Sequence, residues 1–222
     1  MKVKYLIKYK FLFKLYLIIF YLKFNFFTLK KSYSQFGEDL IIKKFFKSFK
    51  GRYVDIGCYH PIKYNNTVLL YKNGWTGINI DLNQTTIDLF NASRKKDTNV
   101  LACLSNSKNT VNLYFVSEFS ALNSIHQDNL KHFGIKNFKK KKIKTKLFSE
   151  VVKKNFDFLN IDCEGHDFKI LKTIDLDIFT PKLICIEVNK KNKNLIYNYL
   201  FGYGYKLLAR KTLSHIFYKK KL

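Results

Sequence analysis

The sequence predicts an α/β fold: a mostly parallel sheet with helices on both faces and an antiparallel hairpin at one edge. From residue 51 onward, short apolar runs alternate with helix-length amphipathic segments, the order that builds parallel strands covered by helices. The last two runs are separated by only four residues, which suits a hairpin. Acidic residues, scarce elsewhere, fall where those strands end. A hydrophobic fraction of 47% and only two prolines, Pro61 and Pro181, argue for a folded interior and against a disordered basic tail. At 222 residues the chain suits one domain with a sizeable core.

Residues 1–31, MKVKYLIKYKFLFKLYLIIFYLKFNFFTLKK, form a basic aromatic segment ahead of a domain at 32–222. Its lysines leave no uncharged run longer than residues 15–22, too few to cross a hydrocarbon core of about 30 Å as a helix. Two readings fit: a basic helix lying on a membrane surface, or an ordinary packing helix at the edge of the domain. A charged start before an apolar run also fits a signal peptide, but no small-residue cleavage site follows.

Beyond it, strand-like runs occur at 53–57, 77–81, 99–105, 111–116, 156–162, 182–188, 205–210 and 215–218. Helical candidates lie near 66–72, 85–95, 149–154, 167–174 and 192–201, with Gly74, Gly202 and Gly204 as stops. Phe168, Leu171 and Ile174 recur at threes, as one buried helical face requires. Segment 117–146 interrupts the alternation and is expected to overhang the ligand crevice and recognise the acceptor. Within it the lysine run 139–142 reads as an exposed loop.

The net charge of +25 comes from 41 basic and 16 acidic residues. Only Arg52, Arg94 and Arg210 are arginines, and lysine is a less directional charge than arginine's planar fork. Together with the abundance of Asn, Ile, Phe and Tyr, this reads as AT-rich codon bias and a solvated surface, and weighs against a nucleic-acid partner. Cys58, Cys103, Cys163 and Cys185 show no Cys-x-x-Cys spacing and sit in apolar runs, as free thiols of a reducing compartment do. The expected location is the cytoplasm, with peripheral contact at the inner face of the membrane through residues 1–31.

Asp81, Asp162 and Glu187 lie at the carboxyl ends of strands, Glu164 just beyond one, and Asp55 within the first. Ligands of open α/β sheets bind outside those ends. Asp81 follows Gly57 by 24 residues, where dinucleotide-type folds place a ribose-binding acid. The first turn, VDIGCYHP (54–61), has one glycine where a dinucleotide fingerprint has three. S-adenosylmethionine, which has no pyrophosphate to cradle, fits better than NAD: it needs the tight turn at Gly57 and an acid such as Asp55 near its ammonium group.

Stretches 51–83, GRYVDIGCYHPIKYNNTVLLYKNGWTGINIDLN, and 156–188, FDFLNIDCEGHDFKILKTIDLDIFTPKLICIEV, resemble the FkbM family of S-adenosylmethionine-dependent methyltransferases, with SYSQFGEDLII (32–42) as its lead-in. The resemblance implies a Rossmann-like class I methyltransferase sheet of seven strands, and O-methylation of a hydroxyl on a sugar, glycan or related metabolite. It implies cofactor roles for Asp55, Gly57 and Asp81, and by position in the fold for Ser105. Cys58 and Asn79 depart from the family pattern, and residues 1–31 lie outside it.

Methyl transfer to a hydroxyl benefits from a base, or from a metal that acidifies the hydroxyl. Within DCEGH (162–166), His166 or Asp162 is the expected base and Glu164 orients the acceptor. A divalent ion, if used, would take Asp162 and Glu164, whereas His60, His126, His132 and His215 have no metal-ligand spacing. Alternatively, Asp167 caps the next helix and His166 is a turn residue. Asn65, Asn66 and Thr67 either start a helix or touch the cofactor. Two further functions stay open: an RNA methyltransferase, and a non-catalytic membrane-associated binding module of the same fold.

Overall fold

A computed structural model describes residues 10–118, 120–125 and 127–219. Residues 1–9 of the basic segment and His126 lie outside them. Among the described residues a seven-stranded sheet runs β3-β2-β1-β7-β8-β10-β9. Its strands are β1 (Arg52–Ile56), β2 (Thr76–Asp81), β3 (Thr98–Leu101), β7 (Phe158–Ile161), β8 (Leu183–Glu187), β9 (Tyr205–Lys211) and β10 (Ser214–Lys219). The first five pair in parallel, while β10 runs antiparallel to both β8 and β9. The predicted α/β architecture and edge hairpin are therefore present.

The sequence forms this sheet because its central strands are apolar on both sides. One face buries Val54, Ile56, Ile80, Leu159, Ile161 and Ile184 against α7 (Asp167–Leu171) and α8 (Lys193–Gly202). The other buries Tyr53, Phe158, Leu183 and Cys185 against Ile42 and Phe46 of α2 (Glu38–Phe46) and against Leu70 of α3 (Val68–Lys72). Trp75, fully enclosed there, donates its indole N–H to the Phe49 carbonyl at 2.9 Å. Helix α1 (Lys10–Leu22) continues through a short π-helical turn, Lys23–Phe27. It seats Phe20 and Phe24 on Val68 and Leu69 of α3 and on Leu89 of α4 (Gln84–Ser93). No described helix is long and apolar enough to cross a membrane.

Two expectations are corrected. The run 99–105 is not one strand: it breaks at Ala102, and β4 (Cys103–Leu104) joins a second, three-stranded sheet of order β4-β6-β5 with β5 (Thr110–Phe115) and β6 (Lys139–Lys146). The lysine run 139–142 is exposed, but it is strand rather than loop. β6 pairs antiparallel with β5 over residues 139–144, Phe115 facing Lys139 and Thr110 facing Lys144, and its last two residues pair in parallel with β4. Main-chain hydrogen bonds do not depend on side-chain polarity, and Lys141 lies over the Phe115 ring at 3.5 Å from its centroid. The remaining helices are α5 (Gln127–His132) and α6 (Phe148–Val151).

Beneath the carboxyl end of the main sheet lies a polar network centred on Arg94, which is fully buried. Its guanidinium donates to Thr67 Oγ1 (2.7 Å), Tyr53 Oη (3.3 Å), Asn65 Oδ1 (2.8 Å) and the Pro61 carbonyl (3.0 Å). Thr67 and Asn65 in turn donate to Asp55, and Tyr53 donates to Asp97. Asp97 also accepts from the Gly77 amide and the Asn79 side chain. Burial pushes both carboxyls up, and Arg94 pulls both back.

Replacing Arg94 by methionine leaves Asp55 and Asp97 buried without their cation, and urea unfolding should show a loss of about 3–5 kcal/mol. Arg94→Lys, which keeps the charge but not the fork, is expected to fall between the two. A loss below about 1 kcal/mol for Arg94→Met would mean the network carries no such role.

Candidate active site

Strands β1 and β7 are neighbours whose chains leave toward opposite sides of the sheet, the arrangement that opens a crevice at the strand ends. Gly57, at φ +77°, makes the turn after β1 and donates its amide to the Ile80 carbonyl at 2.9 Å. A Cβ there would lie 1.8 Å from the Asp162 carbonyl oxygen, so only glycine lets the turns after β1 and β7 approach this closely.

The crevice opens a space of about 980 Å³, counted out through its open mouth into solvent. Gly57, Asp81, Asp162, Glu164 and His166 all line it. One wall is apolar and aromatic, from Ile56, Tyr59, Ile80, Leu82 and Leu104.

Asp81 holds that wall in place. Its carboxylate accepts the Tyr59 amide at 3.0 Å and the Asn83 amide at 2.8 Å. Tyr59 itself sits at φ +51°, an uncommon conformation outside glycine that the Asp81 bond helps secure. Burial raises the Asp81 carboxyl to about 6 despite those two amides.

Asp55 does not line the cavity. It is fully buried in the layer below, its oxygens engaged by Asn65, Thr67 and Asn160. Ser105 is also turned away: its amide donates to the Lys146 carbonyl and its hydroxyl to Asn106. Because the strand breaks at Ala102, Cys103 and Leu104 reach the cavity in its place. All four cysteines are free thiols.

The turn after β7 gathers the remaining acids. Glu164 and Gly165 both take positive φ, +50° and +87°, and Asp167 closes the turn by accepting the amides of Cys163 at 2.7 Å and Gly165 at 2.9 Å. Asp162, Asp167 and Glu187 each offer an oxygen within 4.8 Å of the others. Three carboxylates so close cannot all ionise freely. Burial and the neighbouring Glu187 charge raise Asp167, and burial raises Glu187. Asp162 opens onto the cavity, where water reaches it, yet protein encloses its other sides. Its carboxyl is pushed up by that enclosure and by the charges of Glu187, Asp167 and Glu164. Glu164 is raised to about 7 by burial, then by Glu187. Such oxygens would suit a hard divalent cation, but the engagement of both Asp167 oxygens by turn amides fits shared protons equally well. Glu187 was placed at the rim by sequence and given no role, and Asp167 was read only as a helix cap.

Of segment 117–146, Ala121, Asn123, Ser124 and Ile125 line the cavity, while α5 and β6 continue outward. Asn123 ties this overhang to the wall by donating to Asn83 Oδ1.

The family model described as the Methyltransferase FkbM domain matches residues 55–207. No curated protein sequence matches the chain. Among solved structures it is similar to a methyltransferase FkbM from Methylobacillus flagellatus KT, at 12% identity and a TM-score of 0.56, over 83% of this chain and 48% of that one. This chain thus spans about half the length of that structure. It is also similar to a TehB-like SAM-dependent methyltransferase from Corynebacterium glutamicum ATCC 13032 Kitasato, at 13% identity and a TM-score of 0.47, over 83% and 88% of the two chains. At such identities the likeness is one of fold.

Acids with raised proton affinity stabilise the fold while protonated and lose that contribution as pH rises through their folded values. Thermal stability is therefore expected to fall between the ordinary carboxyl range and the values of about 7 and about 8 to which Glu164 and Asp167 are raised. Glu187→Gln removes one repelling charge and should gain about 1 kcal/mol over the parent at alkaline pH, with little change in acid. Equal stabilities at alkaline pH would show that the cluster is not strained.

Proposed function

The chain belongs to the FkbM methyltransferase family, and on that premise we propose that it methylates a hydroxyl of a sugar, glycan or related metabolite with S-adenosylmethionine as donor. The observation that carries this reading is a single cavity holding a ribose-type acid, Asp81, on one side and a proton-accepting rim, Asp162, Glu164 and His166, on the other. Bound there, S-adenosylmethionine supplies an electrophilic methyl group.

Asp81, Tyr59 and Asn83 would hold its adenosyl part. Asp81 already uses one lone pair on each oxygen for a loop amide, which leaves acceptor capacity for hydroxyls. The apolar wall suits a planar base. Asp55 acts indirectly, through the loop it anchors.

At the rim, Glu164 is the group whose carboxyl, raised to about 7, best matches a general base near neutrality. It takes up the acceptor's hydroxyl proton on a carboxylate oxygen. Asp162 and His166 stand beside it in the same lining and orient the acceptor. This exchanges the roles that the sequence alone suggested for Glu164 and its two neighbours.

A second reading, methylation of RNA, is favoured by β6, which displays six lysines, all at exposed positions, 139–142, 144 and 146. It requires RNA affinity that falls steeply with salt.

Turnover on a sugar or glycan hydroxyl should rise with pH through about 7, because the base acts only when ionised. Glu164→Gln should lower turnover by ~10²–10⁴-fold without weakening cofactor binding. Asp81→Asn should weaken cofactor binding by roughly 10- to 100-fold in calorimetry. Salt-sensitive RNA binding together with label transfer from the methyl donor to RNA alone would replace the glycan reading with the RNA one.

A further inference from the structure

Helix α1 is apolar on both sides, and only one side is covered. Its inner side, with Phe20 and Phe24 buried, packs on Ile62, Val68 and Leu89. Its outer side presents Phe11, Leu15, Ile18, Ile19 and Leu22, at threes and fours, exposed by 77, 47, 58, 55 and 44%. Phe26 and Phe27 extend this ridge, exposed by 66 and 80%. A lone exposed leucine needs no explanation, but a contiguous ridge of this kind does.

The charges around it are one-sided. With 3.6 residues per turn, Lys14 and Lys23 fall on opposite edges of the ridge, and both are exposed. Lys30 and Lys31 follow, also exposed, and residues 10–31 contain no acid. A second copy of the chain or an ordinary protein partner could cover the apolar ridge, but neither calls for cations alone along its borders. An anionic bilayer accounts for both features: apolar side chains enter the acyl boundary while lysine stems reach up to the phosphates.

We propose that the outward face of α1, residues 11–22 with Phe26 and Phe27, is a docking surface for an anionic lipid bilayer, with the helix lying along the membrane plane. The domain then hangs from the membrane by the face that carries α3 and α4, the helices following the two loops that border the cavity. This inference is independent of the reaction proposed above.

The full chain should co-sediment with vesicles of phosphatidylcholine mixed with phosphatidylserine, and weakly or not at all with phosphatidylcholine alone. Replacing Leu15, Ile18 and Leu22 together by glutamine should reduce partitioning by ~10²-fold, because their apolar area no longer leaves water. Lys14→Gln and Lys23→Gln should each reduce it roughly fivefold. All these side chains are exposed, so unfolding curves and cofactor binding should match the parent. The proposal is overturned if the parent chain stays in solution with both vesicle types, if the triple variant sediments as the parent does, or if the ridge instead mediates a dimer that the triple variant abolishes.

Discussion

A guanidinium sealed from water needs acceptors, and the fold brings four of them to the two terminal nitrogens of Arg94, leaving only its Nε without one. The residue closes α4, yet its partners come from β1, from the loop after β1 and from the start of α3. The stretch 53–67 and the end of α4 are thereby fixed in one layer. The layer lies directly under the cavity floor, so the Gly57 turn, the Tyr59 backbone and the Asp81 carboxylate rest on it. The same cation makes it tolerable to bury Asp55 and Asp97.

Above that layer the electrostatics reverse. A chain of net charge +25 keeps the tightest acid group among its described residues, Asp162, Asp167 and Glu187, at the ends of β7 and β8, where burial raises the proton affinity of all three and the Glu187 charge adds to it at Asp162 and Asp167. The structure therefore separates two kinds of buried carboxylate. Those below lie beside a fixed cation, and of those above Asp162 and Glu164 line the cavity. Only the second kind is chemically available near neutral pH.

Much of this was legible in sequence because it is local. Apolar runs fixed the central strands, the glycine after β1 and the acid ending β2 marked the crevice, and the DCEGH turn announced an unusual density of acids. What stayed hidden depends on distant contacts. Arg94 looked like one more basic residue at a helix end. Asp55 looked like a ligand contact because nothing local shows that Asn65, Thr67 and Asn160 converge on it. Ser105 was placed by counting along a strand that in fact breaks at Ala102. The lysine strand β6 was misread because side-chain composition suggested solvent, whereas its pairing is made by the main chain with β5; the spacing of Ile143 and Thr145 was the one faint signal.

Strand β10 leaves a further mark. It enters the sheet between β8 and β9, with Ser214 opposite Glu187, so the strand bearing Glu187 gains its second neighbour only when the C-terminal hairpin docks. During synthesis the nascent protein has already made the cofactor half of the sheet while β8 still presents a bare, strongly apolar edge. Contacts of such long sequence separation close slowly, and an unpaired edge invites association with other chains. Biogenesis therefore passes through a stage in which the acid-bearing strand is exposed to aggregation, and the hairpin acts as the latch that ends it.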